Sequence, residues 1–227
     1  MKKVNPHSAI GKSLVIFIAS LFVTGLAAQN GAKTSLPQFL FPNFSKSIVK
    51  MKAGNMYTAS IDYNMVDEEV IFEQKGQFLA LQNPELIDTV FIQNRIFVPV
   101  EKAFYEVVAK GTFPFFIQHR SKYAPVPTTT AYGMTSQTNG PSSVRTINAG
   151  TQVRQLDVPE GVTLSPATVN WVRKNKEMVK FTNERQLLKI FPEKEVELKT
   201  FIKKENIDLK VREDVVKLGV YCNEIIK

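Results

Sequence analysis

The chain has 227 residues, 44% of them hydrophobic and 22% charged. These proportions exclude wholesale disorder and allow about one domain, or one and a half, with a core that needs no metal or disulfide staples. The formal charge is +8, but three lysines and no acid fall in the first 28 residues, leaving +5 on the remainder with both signs interspersed. A nucleic-acid binder would carry a stripe of one sign, so no nucleic-acid partner is expected. A lone cysteine excludes an intramolecular disulfide.

The first segment has the form of a secretory leader. Lys2, Lys3 and Lys12 precede an apolar run from Leu14 to Leu26, and Gly25-Leu26-Ala27-Ala28 supplies a small-residue exit before Gln29-Asn30-Gly31. A basic start, a short apolar core and small residues at the exit describe a cleaved signal peptide. The run is shorter than the roughly 20 apolar residues that span a bilayer. Residues 1–28 are therefore expected to be removed after Ala28, with Ala27 as the alternative, and the mature chain to have no transmembrane segment. The expected location is periplasmic or extracellular.

Residues 29–122 are expected to form a β-rich domain. Leu36-Pro37-Gln38-Phe39-Leu40-Phe41-Pro42-Asn43-Phe44 carries two prolines in an apolar run, which forbids a regular central strand or helix. It is expected to be an extended arm packed on the sheet, with a partner-binding segment as the sharper alternative. Ser47–Met51 and Met56–Tyr63 flank Lys52-Ala53-Gly54-Asn55 as a hairpin. Tyr57, Ala59, Ile61 and Tyr63 alternate with polar residues, the pattern of a half-buried strand. Further strands are expected at Val70–Phe72, Phe78–Leu81, Thr89–Ile92, Ile96–Val100, Phe104–Ala109 and Phe115–His119. They are separated by Gly76, Asn83-Pro84, Asn94 and Gly111.

From Tyr123 to Pro166 prolines, glycines, serines and threonines replace the apolar periodicity. That composition predicts a flexible loop or linker over 123–166. Residues 167–227 are expected to form a hairpin plus a helical tail packing on the β-domain. The hairpin joins Val169–Lys174 to Met178–Phe181. Asn183 with Gln186 then forms a capping box before Leu187, Leu188, Ile190 and Phe191, and Pro192 opens the next helix. Val211, Val215, Leu218, Cys222 and Ile225 make one buried face of the last helix. The fold class is therefore α+β. An antiparallel meander, small barrel-like or sandwich body is followed by two or three short C-terminal helices.

No stretch carries a catalytic motif, and no metal or cofactor is expected. Asp62, Asn64, Asp67, Glu68 and Glu69 bring hard-cation chemistry to mind, but their spacing matches no calcium loop. His119, the one histidine beyond the leader, cannot build a zinc site alone. Its pairing with Cys222 as a nucleophilic dyad competes with a structural role for each. Glu68 with Glu69, or Glu101 with Glu106, would be the carboxylates of a hydrolase. Glycosidases hold such a pair roughly 5–10 Å apart across a cleft. Tyr57, Tyr63, Phe97, Tyr105 and Trp171 are the candidate ligand-binding aromatics, set against a plain role in the core.

Lys180-Phe181-Thr182-Asn183, Leu187-Leu188-Lys189-Ile190-Phe191-Pro192, Ile202-Lys203-Lys204-Glu205-Asn206 and Glu213-Asp214-Val215-Val216-Lys217 together resemble the ending of many exported Bacteroidetes proteins of unknown function. Tyr57–Phe72 and Ala103–Gly111, Phe104-Tyr105-Glu106-Val107 especially, are similar to the same group. The resemblance implies a β-rich body with a small helical end, in the periplasm or outside the cell, and offers no catalytic residue to carry over. The expected function is that of a non-enzymatic cell-envelope binding or interaction protein, with an envelope protein or a glycan as partner. A small-ligand or glycan-binding module is the alternative, and a carboxylate-dependent hydrolase stands behind it.

Overall fold

The computed structural model describes residues 36–125, 128–129, 135–136 and 162–226, all within one compact unit. The expected leader and residues 137–161 of the expected loop lie outside the described residues. The strands, in chain order, are β1 (Ser45–Met51), β2 (Met56–Asn64), β3 (Glu69–Gln74), β4 (Gln77–Ala80), β5 (Ile87–Ile92), β6 (Arg95–Val100) and β7 (Ala103–Ala109). They continue as β8 (Phe115–Gln118), β9 (Ser121–Pro125), β10 (Thr128–Thr129), β11 (Thr135–Ser136), β12 (Val162–Pro166), β13 (Val169–Lys174) and β14 (Glu177–Phe181). Helices α1 (Glu184–Ile190), α2 (Glu195–Lys204) and α3 (Arg212–Ile225) close the chain.

Ten strands form one antiparallel sheet, ordered β14-β13-β8-β7-β6-β5-β1-β2-β3-β4. Tight turns make most of the connections, and positive φ falls on Gly54, Gly76, Glu101 and the Asn175-Lys176 pair, where short hairpin loops need it. After β2 Asn64 builds the turn with its own side chain, accepting from the Val66 amide at 2.9 Å and donating to Asp67 at 3.0 Å. The sheet curls strongly. Ser121 N donates to the Met65 carbonyl at 2.8 Å, and the Tyr63 hydroxyl reaches the His119 carbonyl at 3.3 Å, so the end of β2 meets the end of β8.

This curl gives the sheet an inner face with two cores. Ile61, Tyr63, Val70, Val90, Phe97 and Phe104 fill the first, with Phe41 of the arm added. The second lies where the three helices cover β7, β8, β13 and β14, through Ala109, Phe115, Val172, Phe181, Leu187, Leu198, Leu218 and Cys222. Helix α3 approaches closely because residue 219 is glycine: a Cβ there would stand 2.7 Å from the Ala109 Cβ. Asn223 locks the contact, accepting from Phe113 N and donating to Phe113 O, both at 2.8 Å.

The arm is extended and packed, as expected. Leu40 N donates to Tyr63 O and Met65 N to Gln38 O. Phe39, with Leu36, Phe44 and Phe78, covers Ile71 and Ala80 on the outer side of β2–β4. Asp62 is buried beneath it, 1% exposed, accepting from Phe41 N at 3.2 Å and Tyr63 N at 2.6 Å.

Two expectations need correction, and a third is sharpened. The ends of the expected linker are strands: β9 pairs with β12 from Ser121↔Pro166 to Pro125↔Val162, continuing the β8–β13 ribbon past Arg120 and Ala167. The second hairpin, expected to pack on the β-domain, is part of its sheet, since β13 pairs with β8 and adds two strands to the main sheet. Val211 is 41% exposed rather than buried, because it sits at the N-cap of α3, ahead of the first turn that meets the sheet. The capping of α1 differs in a detail: Asn183 accepts from Gln186 N at 3.0 Å, but the Gln186 side chain reaches back one residue further, to Thr182 N at 2.8 Å.

Candidate functional site

Two polar clusters stand out from the apolar framework, one inside the sheet and one on its outer face. The inner cluster centres on Glu106, whose side chain is fully buried. Strand alternation places residue 106 on the inner face together with Phe104, and Phe97 is its partner on β6. A carboxylate there is expensive unless it is paired. Arg212, at the start of α3, supplies the pairing with Nε at 2.7 Å and a terminal nitrogen at 2.6 Å from Oε1. His119 Nε2 donates to Oε2 at 2.7 Å, and Arg95 stands 3.6 Å from the same oxygen. Burial alone would raise the Glu106 pKa, but the His119 and Arg212 hydrogen bonds and the Arg95 charge outweigh it and hold the carboxyl below its usual range.

Chemically this cluster is closed. Both oxygens of Glu106 are engaged, and the His119 nitrogen facing it is committed to a charge-assisted bond. Glu106 thereby ties α3 to the sheet. His119 also packs its ring against Tyr63 and Phe97, at centroid distances of 6.3 Å for each. Cys222 lies in the helix-side core with no exposed surface, and burial pushes its thiol up to about 12. A nucleophilic Cys222–His119 pair is therefore not assembled: the thiol lies in the helix-side core and is kept protonated by burial, while the imidazole packs against Tyr63 and Phe97 of the first core.

The outer cluster is built on residues 105, 116, 118 and 171, which strand register brings side by side. Trp171 pairs with Phe116, and Phe116 with Val107. Trp171 is half-buried and stacks on Tyr105, ring centroids 5.7 Å apart and interplanar angle 30°. Its indole N–H donates to Gln118 Oε1 at 3.0 Å. The Gln118 amide donates in turn to Glu68, which also holds Arg120 Nε at 2.7 Å. Glu68 reaches this place because it occupies the turn after β2, at φ 61°, which the curl of the sheet lays against β8.

The same face continues toward the opposite strand ends as a groove of about 590 Å³. Val98, Val107 and Phe116 form its floor, and Lys52, Lys110 and Arg173 stand at its rim. The Arg173 guanidinium lies 5.0 Å above the centre of the Phe116 ring.

Of the candidate aromatics, the structure brings together two pairs, Tyr105 with Trp171 and Tyr63 with Phe97; in the first, Trp171 is half-buried and Tyr105 is 8% exposed. Tyr63 and Phe97 stack on each other at 5.5 Å inside the first core and are fully buried, so neither can meet a ligand. Their inward parity is what put them there. Tyr57 shares that parity but lies at the far end of β2, past the core, and is 58% exposed with no aromatic neighbour among the described residues. The carboxylate pairs are not assembled either. Glu101 forms a hairpin tip while Glu106 is interior, and Glu68 is held by Gln118 and Arg120. Among the described residues no three His, Cys, Asp or Glu side chains are placed to hold a metal ion.

Sequence reasoning missed the inner network and the Gln118–Glu68–Arg120 relay. One signal was present: Glu106 interrupts Phe104-Tyr105-Glu106-Val107-Val108 at an inward position, which demands a buried cation. Which cation could not be read, because Arg212 is 106 residues away. Compared with known proteins, the chain matches no protein-family model, no curated protein and no solved structure.

Proposed function

We propose that this chain is an exported, non-enzymatic cell-envelope protein that works by binding, and that it binds through the outer face of its sheet around Trp171 and Tyr105. The supporting observation is the division of labour between the two clusters. Of the residues with catalytic potential, Glu106 and His119 are buried and bonded to each other, and Cys222 is buried in the helix-side core. The half-buried Trp171 and its polar neighbours lie on the face that the helices leave open. Aromatic anchors beside a few fixed polar groups are the usual composition of a contact site. The leader-like segment of residues 1–28 supports the periplasmic or extracellular address.

A glycan or other small ligand at the same pair is the second reading. What favours it is the half-buried indole of Trp171 on the same face as the Arg120 side chain, which is 38% exposed.

The test is capture by the purified protein from envelope extracts, run beside the Trp171→Ala variant. Recovery of the same partners by wild type and variant would refute the outer-face reading. Cell fractionation with N-terminal sequencing tests the address: a cytosolic protein still carrying Met1 would contradict export.

A further inference from the structure

We infer that the groove floored by Val98, Val107 and Phe116 receives a carboxylate-bearing peptide segment of a partner protein, apolar side chains down and acidic side chains toward the rim. The inference rests on the outer-face reading above and names the chemistry of its partner.

The charge around the groove carries it. Lys52, at the β1–β2 hairpin, Lys110, just past β7, and Arg173, on β13, approach from three directions. None of the three forms an ion pair among the described residues. Asp88, the one acid in the lining, is already neutralised by Lys50 at 2.9 Å. The rim is thus an excess of cations over an apolar floor, and Val98 and Val107 are only half-buried. An acidic occupant would meet complementary charge and gain apolar contact at once. The volume lies within the usual range for ligand clefts, roughly 300–1,000 Å³.

The floor favours a peptide over a sugar. Sugar stacking needs a bare aromatic plane, and the Phe116 ring is 2% exposed beneath the Arg173 guanidinium. Valine and proline surfaces, from Val98, Val107, Pro99 and Pro114, suit aliphatic side chains instead. Arg173 also offers the planar fork that binds a carboxylate through two parallel hydrogen bonds.

The experiment is fluorescence anisotropy with three labelled hexapeptides of alternating valine and a second residue, namely glutamate, glutamine or lysine. An oligo-uronate is the fourth probe. The glutamate peptide should bind, weaken as salt rises, and lose about tenfold in affinity for the Lys110→Glu/Arg173→Glu double variant. Lys52→Glu should act in the same direction, and unchanged melting temperatures should establish that both variants remain folded. The lysine peptide should bind at least about tenfold more weakly than the glutamate peptide. No binding of the glutamate peptide, equal binding of the glutamate and lysine peptides, or tighter binding of the oligo-uronate would each overturn the assignment. Those failures are separable from failure of the broader reading, which falls if Trp171→Ala leaves envelope capture unchanged.

Discussion

Replacing Glu106 by glutamine removes one negative charge from the interior while keeping the shape of the side chain. In the native protein that charge is shared by Arg212, His119 and Arg95. Without it, two guanidinium groups face a neutral amide, and one amide N–H₂ is forced against a donor. Removing one partner of a buried ion pair costs about 3–5 kcal/mol. Both arginine side chains retain 27% of their exposure, so water recovers part of that loss and the expected cost is about 2–4 kcal/mol. For a chain of this size that lowers the melting temperature by about 5–15 °C. Urea unfolding followed through Trp171 fluorescence gives the measurement, read as a shift in midpoint at constant slope. The Glu106→Gln/Arg212→Met double variant should lose less than the sum of the single variants, with a coupling of about 1–3 kcal/mol. Sign and pH agree: the carboxyl is held below its ordinary value of 4.5, so this stability is present above pH 4.5 and is lost as pH falls through the lower folded pKa. A Glu106→Gln protein with an unchanged or higher midpoint would refute the reasoning.

Asp62 has the opposite sign. Burial beneath the arm raises its carboxyl from 3.8 to about 7, against the lowering effect of the Tyr63 and Phe41 amides. Stability is then full below pH 3.8 and falls as pH rises toward 7, by an amount on the order of 4 kcal/mol. Asp62→Asn should flatten that slope and stabilise the protein at pH 8; parallel pH profiles for the two proteins would exclude the effect. Gly111 has φ 145°, and a Cβ there would fall 2.3 Å from Asn223 Oδ1. Gly111→Ala should therefore loosen α3 by about 2–4 kcal/mol in chemical unfolding, and wild-type stability would contradict the close approach. The Cys222 thiol should resist a thiol-reactive reagent until the protein is unfolded, and rapid labelling of the native protein would show that it is accessible.

The local structure was legible because each strand announces itself by alternation and each turn by a residue suited to it. Ile61 and Tyr63 read as inward and are fully buried, and Asn183 reads as a cap and accepts from Gln186 N. Three things were not legible, and all are long-range. Joining β13 to β8 crosses the whole 123–166 stretch, whose composition gives no sign that its ends pair. The curl that lays Glu68 beside Gln118 depends on accumulated twist rather than on any local residue. Parity could not separate Tyr57 from Tyr63, because alternation says which way a side chain faces and not how far the core extends. Of the site, Trp171 and Tyr105 could be nominated as aromatics, but their stacking required the register of three neighbouring strands.

Photo-crosslinking tests the proposed binding face directly. A photoreactive residue substituted at Val107, in the outer groove, is compared with one at Lys199, on the helical side, using the purified protein and envelope extract. The proposed binding through the outer face predicts crosslinked partners from position 107 alone, lost on adding Trp171→Ala. Partners captured from position 199 and none from position 107 would contradict it.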